Sequence, residues 1–240
     1  MLFDNPGDGV SPGEKDLLKL DCSVDTNPDL LLYRALAGSL DSIGRDMLVD
    51  TYLFCPLPAH SYHVTVWDGL NDGNAGDVLE HYRPGVKDYL AGLPRSLLAD
   101  NAFTGLADDS PLGRENWTIR LKFDRLLKWG DRVLVARLAP ADRDSERELK
   151  IIVDHRRDLS ARFRERFKAR TTVDYSPHVS LGYFANTQYA GLATPQISRW
   201  DDVVRRKVDG LTIAFTGISL YGFTDMATFF KRRGIAREDK

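Results

Sequence analysis

Two four-residue segments of this chain place a histidine and a hydroxyl residue at a spacing that suits a β-strand. They are His63-Val64-Thr65-Val66, the first tetrad, and His178-Val179-Ser180-Leu181, the second tetrad. Because a strand sends alternate side chains to opposite faces, the histidine and the hydroxyl residue of each tetrad share one face. Two such strands side by side would present two imidazoles and two hydroxyls to one groove. That set of groups can perform acid–base chemistry on a phosphate ester without a metal.

The unperturbed pKa of histidine suits acid–base catalysis near neutral pH. Imidazole titrates near pH 6.5, so one ring can be neutral and the other protonated near neutral pH. The neutral ring would act as a base toward the attacking oxygen, and the protonated ring as an acid toward the leaving oxygen. Thr65 and Ser180 would donate hydrogen bonds to the non-bridging phosphate oxygens, where negative charge develops. The sequence leaves open whether His63 or His178 is the base.

The surroundings of the tetrads set them apart from the rest of the chain. The other three histidines (His60, His81 and His155) are followed two positions later by a tyrosine or an arginine. Both tetrads come after a turn-like segment that contains a proline, Pro58 in one case and Pro177 in the other. The tetrad histidines lie 115 residues apart, which indicates one tetrad in each half of a two-part fold.

On these two motifs the chain resembles the 2H phosphoesterase superfamily, whose members carry two H-x-[ST]-x motifs on strands of a duplicated fold. The resemblance covers the chain from about Leu48 to its end. It implies a bilobal α+β fold in which two antiparallel sheets flank a central groove and the helices lie outside. It also implies an enzyme without a metal or other cofactor, with His63 and His178 catalytic and Thr65 and Ser180 binding the substrate.

The resemblance predicts a phosphodiesterase that hydrolyses a 2′,3′-cyclic phosphate, or a 2′–5′ or cyclic oligonucleotide linkage. Two alternatives stay open. One is RNA end-processing, including 2′–5′ ligation, which would need a basic track that leads to the groove. The other is a non-catalytic protein that binds a nucleotide or RNA in the same groove.

Aromatic residues beside the tetrads are candidate platforms for a base, because stacking is worth about 1–3 kcal/mol per base. We predict this substrate-binding role for Tyr62 and Tyr183. Tyr183 lies five residues after His178, so a bulge or the end of the strand is needed to turn it toward the histidine face. We expect Trp67 and Phe184 to pack in the core instead.

A metal site is not predicted. His60 and His63 with Asp68 or His81 would be the candidate ligands. Their spacing lacks a helical pair four residues apart and any cysteine partner.

Composition limits the class of protein. The 240 residues are 42% hydrophobic and 28% charged, with a formal net charge of −2, which is ordinary for a globular protein. Such a chain has no bulk basic surface for long nucleic acids, although a local cluster suffices for a nucleotide or an RNA end. No apolar stretch approaches the roughly 20 residues of a spanning helix. The composition is therefore compatible with the nucleotide or RNA-end substrate that the resemblance implies, and we expect no membrane association and no obligate protein partner.

The location predicted from the sequence is the cytoplasm. The first residues lack the basic and apolar regions of a signal peptide. Cys22 and Cys55 show no metal-ligand spacing, and we expect both to be reduced thiols.

Hydrophobic periodicity predicts the elements that position the tetrads. Residues 1–45 are interpreted as an N-terminal lead-in and helix, and residues 46–240 as one bilobal domain. The predicted helices are 29–40, an interrupted 77–91, 141–169 and 196–208. The predicted strands are 47–54, 62–67, 117–123, 132–138, 178–184, 211–221 and 226–230.

Overall fold

The alternating strands of the sequence assemble into two antiparallel sheets, and helices pack against them. The structure, a computed structural model, describes residues 2–4, 16–19, 24–99, 102–172 and 174–232. Within these residues each sheet has five strands, and the fold class is α+β, as predicted.

Each sheet contains one tetrad strand. In spatial order, sheet A consists of β2 (Leu17–Lys19), β10 (Thr228–Arg232), β9 (Ser219–Asp225), β1 (Leu2–Asp4) and β4 (Val64–Trp67). Sheet B consists of β3 (Phe54–Pro56), β7 (His178–Phe184), β6 (Val133–Pro140), β5 (Ile119–Trp129) and β8 (Thr212–Phe215). The first tetrad therefore lies at the edge of sheet A, and the second lies inside sheet B.

The α-helices of the described residues vary from one turn to seven. They are α1 (Leu31–Ile43), α2 (Arg45–Tyr52), α3 (Arg83–Ala91), α4 (Ala102–Asp108), α5 (Pro111–Arg114), α6 (Arg143–Phe167), α7 (Thr187–Ala193) and α8 (Ile197–Val208). Among these residues, no helix combines the length and the apolar character that crossing a bilayer requires.

The long helix α6 forms much of the support behind the first tetrad. Asp142 caps its N-terminus by accepting a hydrogen bond from the Ser145 amide (2.8 Å). Its apolar stripe is buried, and Phe163 packs edge-to-face on Trp67 with 5.1 Å between ring centroids. The Trp67 indole also donates a hydrogen bond to Ser160 Oγ (3.1 Å). The end of β4 is thereby fixed against α6.

The two tetrad strands approach each other where the sheets meet. Strand β3 pairs only with residues 182–184 of β7, so the edge beside His178 and Ser180 is not covered by β3. Cα atoms of β4 come within 8 Å of Cα atoms of β7. The junction of the sheets thus brings the two tetrads together.

The predicted strand over Met47–Phe54 is wrong. The structure has helix α2 there, followed by the short strand β3. Gly44, with φ of +109°, ends α1 and allows α2 to begin at the next residue. Only Leu48 of α2 is buried, so the apolar run that suggested a strand contributes one side chain to the core.

The predicted strand over Leu211–Tyr221 is also wrong as one element. It divides into β8, in sheet B, and β9, in sheet A. The alternating pattern is continuous in sequence, but the chain crosses from one sheet to the other after Phe215. Hydrophobic periodicity records which face is buried and not which sheet the strand joins.

The described part of residues 1–45 is not a lead-in to a separate domain. Strand β1 lies between β9 and β4 in sheet A, and β2 lies at the far edge of that sheet. Helix α1 packs against α8. The described residues before position 46 therefore belong to the same folded unit as the tetrads.

A glycine in β7 permits the close pairing of β3 with the second tetrad strand. A Cβ atom at Gly182 would lie 2.4 Å from the carbonyl oxygen of Cys55 and 2.4 Å from the Phe54 ring. We expect Gly182→Ala to lower the free energy of unfolding by about 1–3 kcal/mol, because the added methyl group fits only if the backbone of β3 moves away from β7. Urea denaturation would measure it. Gly191→Ala, where nothing lies within 4 Å, is the control and should leave stability unchanged or raise it by up to about 1 kcal/mol, because alanine is favoured over glycine inside helix α7.

Candidate active site

The two tetrad histidines have the same local hydrogen bond. His63 Nδ1 lies 2.8 Å from the carbonyl oxygen of Ser61, and His178 Nδ1 lies 2.9 Å from that of Ser176. Because a carbonyl oxygen can only accept, Nδ1 carries the proton in each ring. A neutral ring then has its lone pair on Nε2. Nε2 is therefore the nitrogen of both rings that can accept or deliver a proton.

Each tetrad strand also has a β-bulge, which lies at the fourth residue of the tetrad. In β4 the extra residue is Val66, because its two chain neighbours pair with consecutive residues of β1. In β7 the extra residue is Leu181, because its two neighbours pair with consecutive residues of β6. A bulge changes the phase of the residues that follow it. The two tetrads thus share backbone geometry as well as sequence.

The bulge in β7 turns Tyr183 toward the histidine face. Ser180 pairs with Val135 and Tyr183 pairs with Val133, so their partners are two residues apart on β6. The side chains of Ser180 and Tyr183 therefore lie on the same side of the sheet. Their side chains are hydrogen-bonded, and Tyr183 is half-buried. The bulge that the sequence analysis required for Tyr183 to face the histidine side is therefore present.

The prediction that Tyr62 lines the groove is wrong. Its side chain is 1% exposed and packs edge-to-face on Tyr33, with 5.9 Å between ring centroids. The backbone at Tyr62 is extended, so its side chain points away from that of the next residue, His63. Trp67 and Phe184 are each 2% exposed, which confirms the prediction that they belong to the core.

The environment of the histidines favours their neutral forms. Burial lowers the pKa of His63 to about 4, against a smaller opposing effect of the Ser61 carbonyl. The ring is 8% exposed and lies 4.5 Å from the ring of Phe229, centroid to centroid. A positive charge on His178 would lower the pKa of His63 further. Burial also lowers the pKa of His178. In the free protein both rings are therefore neutral near pH 7.

An aromatic residue that the sequence did not single out lies against the second histidine. The ring of Trp129 is 4.2 Å from that of His178, and its side chain is 39% exposed. Trp129 pairs with Val133, which pairs with Tyr183, so these residues share one face of sheet B. No pattern in the sequence indicates this register.

Removing the indole should weaken binding of a base-bearing ligand. We expect Trp129→Leu to raise KM for a nucleoside 2′,3′-cyclic phosphate by about 5–100-fold with little change in kcat, because base stacking contributes about 1–3 kcal/mol. Steady-state kinetics would measure it, with Trp129→Phe as the variant that keeps a ring. A cyclic phosphate without a base should have the same KM in all three proteins. An equal rise of its KM would contradict the stacking role.

A row of basic side chains leads away from His178 on this face. Arg137 of β6 is the direct cross-strand partner of His178, and Arg125 of β5 is the partner of Arg137. Asp124 accepts hydrogen bonds from both arginines. Burial raises the pKa of Asp124, but these hydrogen bonds outweigh it and the pKa falls below its usual range. The row carries one net positive charge beside the histidine.

The described residues contain no group of three or more His, Cys, Asp or Glu side chains that could hold a metal ion. The candidate ligands His60, His63, Asp68 and His81 are therefore not assembled. Cys55 is a free, exposed thiol, and it is the cross-strand partner of Tyr183. Cys22 lies outside the described residues.

Comparisons with known proteins bear on the fold. No family model matches the chain, and no curated protein matches it. Among solved structures, the chain is similar to ATU0111, a conserved protein of unknown function from Agrobacterium tumefaciens. The TM-score is 0.52 at 13% sequence identity, over 97% of this chain and 82% of that one. This likeness supports the fold alone.

Proposed function

We propose that the protein is a metal-independent phosphodiesterase of the 2H type, which hydrolyses a 2′,3′-cyclic phosphate or a 2′–5′ or cyclic oligonucleotide linkage. One observation carries the proposal. Two tetrads from opposite halves of the chain hold their histidines by the same Nδ1–carbonyl hydrogen bond, on strands that approach each other. A pair of histidines with equivalent reactive nitrogens suits a reaction that needs one base and one acid.

In this proposal a cyclic phosphate binds between the two imidazoles. The neutral histidine takes a proton from water through Nε2, and the water oxygen attacks phosphorus in line. The other histidine, protonated, gives its Nε2 proton to the ribose oxygen as the P–O bond breaks. Thr65 and Ser180 hydrogen-bond the non-bridging oxygens. The product is a phosphate monoester and a free hydroxyl, and the two histidines have exchanged protonation states.

The low pKa values of the free protein are compatible with an acid in this cycle. A bound phosphodiester anion places negative charge beside the rings, which favours the imidazolium form. Ligand binding should therefore be accompanied by proton uptake. The cytoplasm is the proposed location, and a nucleotide or an RNA end the proposed substrate.

The basic row favours a second candidate, RNA end-processing. Arg137 and Arg125 extend across two strands from His178, and phosphate contacts from arginine are the usual source of affinity for a polynucleotide. This candidate predicts that a short RNA ending in a cyclic phosphate has a higher kcat/KM than the corresponding mononucleotide. Arg125→Ala should then lower kcat/KM for the short RNA relative to that for the mononucleotide, and kcat/KM for the RNA should depend less on salt.

The test of the proposed function is incubation with the four 2′,3′-cyclic nucleotides and a 2′–5′ dinucleotide in excess EDTA. Phosphorus NMR would follow the reaction and identify the product. We expect conversion to a single phosphate monoester despite the chelator. Turnover that stops with EDTA and returns with a divalent cation would contradict the proposal. Tight binding without turnover would instead identify a non-catalytic nucleotide-binding protein.

A further inference from the structure

The two tetrad bulges differ in what binds their carbonyl oxygens. A bulged residue is left out of the regular ladder, so its backbone groups need other partners. The carbonyl of Leu181 accepts a hydrogen bond from the backbone amide of Leu57 (2.9 Å). The carbonyl of Val66 accepts one from Nε of Arg156 (2.8 Å). The bulge carbonyl of the first tetrad is therefore held by a side chain of α6, and that of the second by a backbone amide.

The same guanidinium also holds the segment that leads into the second tetrad. Arg156 Nη2 donates a hydrogen bond to the carbonyl oxygen of Thr172. Its Cζ lies 5.3 Å from the ring centroid of Tyr175, three residues before His178. Arg156 is 3% exposed. One buried cation thus contacts the bulge after His63 and the approach to His178.

Two side-chain bridges near Arg156 tie the same parts of the chain. Thr172 Oγ1 donates a hydrogen bond to Asp68 Oδ2 (2.9 Å). Asn74 Nδ2 lies 2.7 Å from the Gly69 carbonyl oxygen and 2.8 Å from that of Arg170. The loop after β4 and the segment before β7 are therefore joined at successive points.

We infer that Arg156 and the Asp68–Thr172 hydrogen bond form a clasp that positions the two tetrads relative to each other. Burial of a guanidinium is costly, and it is tolerated where its fork of donors is satisfied by several acceptors. The planar fork reaches Val66 and Thr172 at once, which the single ammonium of a lysine does not. The importance of this clasp for a rate rests on the proposed function, because two groups acting on one phosphate require fixed separation.

The test compares Arg156→Lys with Arg157→Lys. Arg157 is the neighbouring residue on α6, is 64% exposed and pairs with Asp154. We expect Arg156→Lys to lower kcat on a 2′,3′-cyclic nucleotide by about 10²-fold and to change KM less than about threefold. Arg157→Lys should match the wild type in both. A purely structural role would lower the melting temperature and leave kcat unchanged well below it, which would overturn the inference.

A second variant and a second measurement keep the inference separate from the proposed function. Thr172→Val removes only the hydroxyl bond to Asp68, and we expect a smaller loss of kcat of about 3–10-fold, one hydrogen bond being lost. Imidazole nitrogen shifts of His63 and His178, read by NMR, should move in Arg156→Lys and stay in Arg157→Lys. If the wild type turns over no substrate, the proposed function fails, and these shifts alone decide. Unchanged shifts in Arg156→Lys would overturn the clasp.

Discussion

Asparagine in place of either tetrad histidine is expected to lower kcat on a 2′,3′-cyclic nucleotide by about 10²–10⁴-fold. The reason is the loss of the only group of that tetrad that can move a proton through Nε2. Asparagine keeps an N–H that can donate to the carbonyl of Ser61 or Ser176, so the local backbone should be preserved. The measurement is steady-state hydrolysis in EDTA for His63→Asn and His178→Asn, with circular dichroism to confirm folding.

The matched control for this prediction is His60→Asn. His60 is half-buried and lies three residues before His63 in the same approach segment, but outside the tetrad. The substitution should leave kcat within about twofold, because His60 is not one of the two histidines proposed to move protons. If the two histidines act as a unit, the double variant should be about as slow as the slower single variant. Retention of most of the wild-type rate in either single variant would contradict two-histidine catalysis.

The wild-type rate should also fall at both low and high pH. A base that must be neutral and an acid that must be protonated give a bell-shaped profile. Each single variant should lose one limb of the bell, and the limb that is lost assigns the base and the acid. The sequence and the local geometry treat His63 and His178 alike, so this assignment depends on how the substrate lies.

The parts of the site that follow from strand periodicity could be predicted from the sequence. Alternation places a histidine and the hydroxyl two residues later on one face, and the structure has both tetrads on strands. His63 itself precedes the first residue of β4. The same rule excludes Tyr62 from the histidine face, since adjacent residues of extended backbone point to opposite sides, and the prediction for Tyr62 did not apply it. That error could have been avoided at the sequence level.

Other parts depend on contacts between distant segments. The bulge that turns Tyr183 inward is a property of the register between β7 and β6. The contact of Trp129 with His178 depends on how three neighbouring strands, β5, β6 and β7, are placed side by side. The hydrogen bond of Arg156 to Val66 joins residues 90 positions apart. Arg156 lies in the apolar stripe of α6, four residues after Ile152 and three before Leu159. Helical spacing therefore places it on the buried face, but it does not identify Val66 and Thr172 as its partners. Periodicity within one element has no access to such distances.

The buried imidazole of His63 should make the folded protein sensitive to acid. Its pKa falls from 6.5 to about 4 on folding, chiefly because of burial. Above pH 6.5 the ring is neutral in both states. As the pH falls toward 4, the unfolded chain binds a proton that the folded protein does not, and stability is lost. The shift corresponds to about 3 kcal/mol of unfolding free energy, and the lowered pKa of His178 acts in the same direction.

Urea denaturation of the wild type and of His63→Gln between pH 7 and 4.5 would measure this loss. Glutamine does not titrate in this range, so the variant should lose much less stability on acidification, and the two curves should converge. His81→Gln, at an exposed position, should keep the wild-type slope. An equally steep fall in His63→Gln would show that other groups cause the acid sensitivity.

A phosphate ligand connects this stability effect to the proposed chemistry. A nucleoside monophosphate held between the imidazoles would stabilise the imidazolium, so it should raise the pKa of at least one tetrad histidine and flatten the acid-induced loss of stability. In His63→Gln the flattening should be smaller, because one of the two rings is missing. If the monophosphate stabilises wild type and His63→Gln equally at every pH, its phosphate does not lie beside His63. The burial that makes the empty site acid-sensitive would then have no part in catalysis.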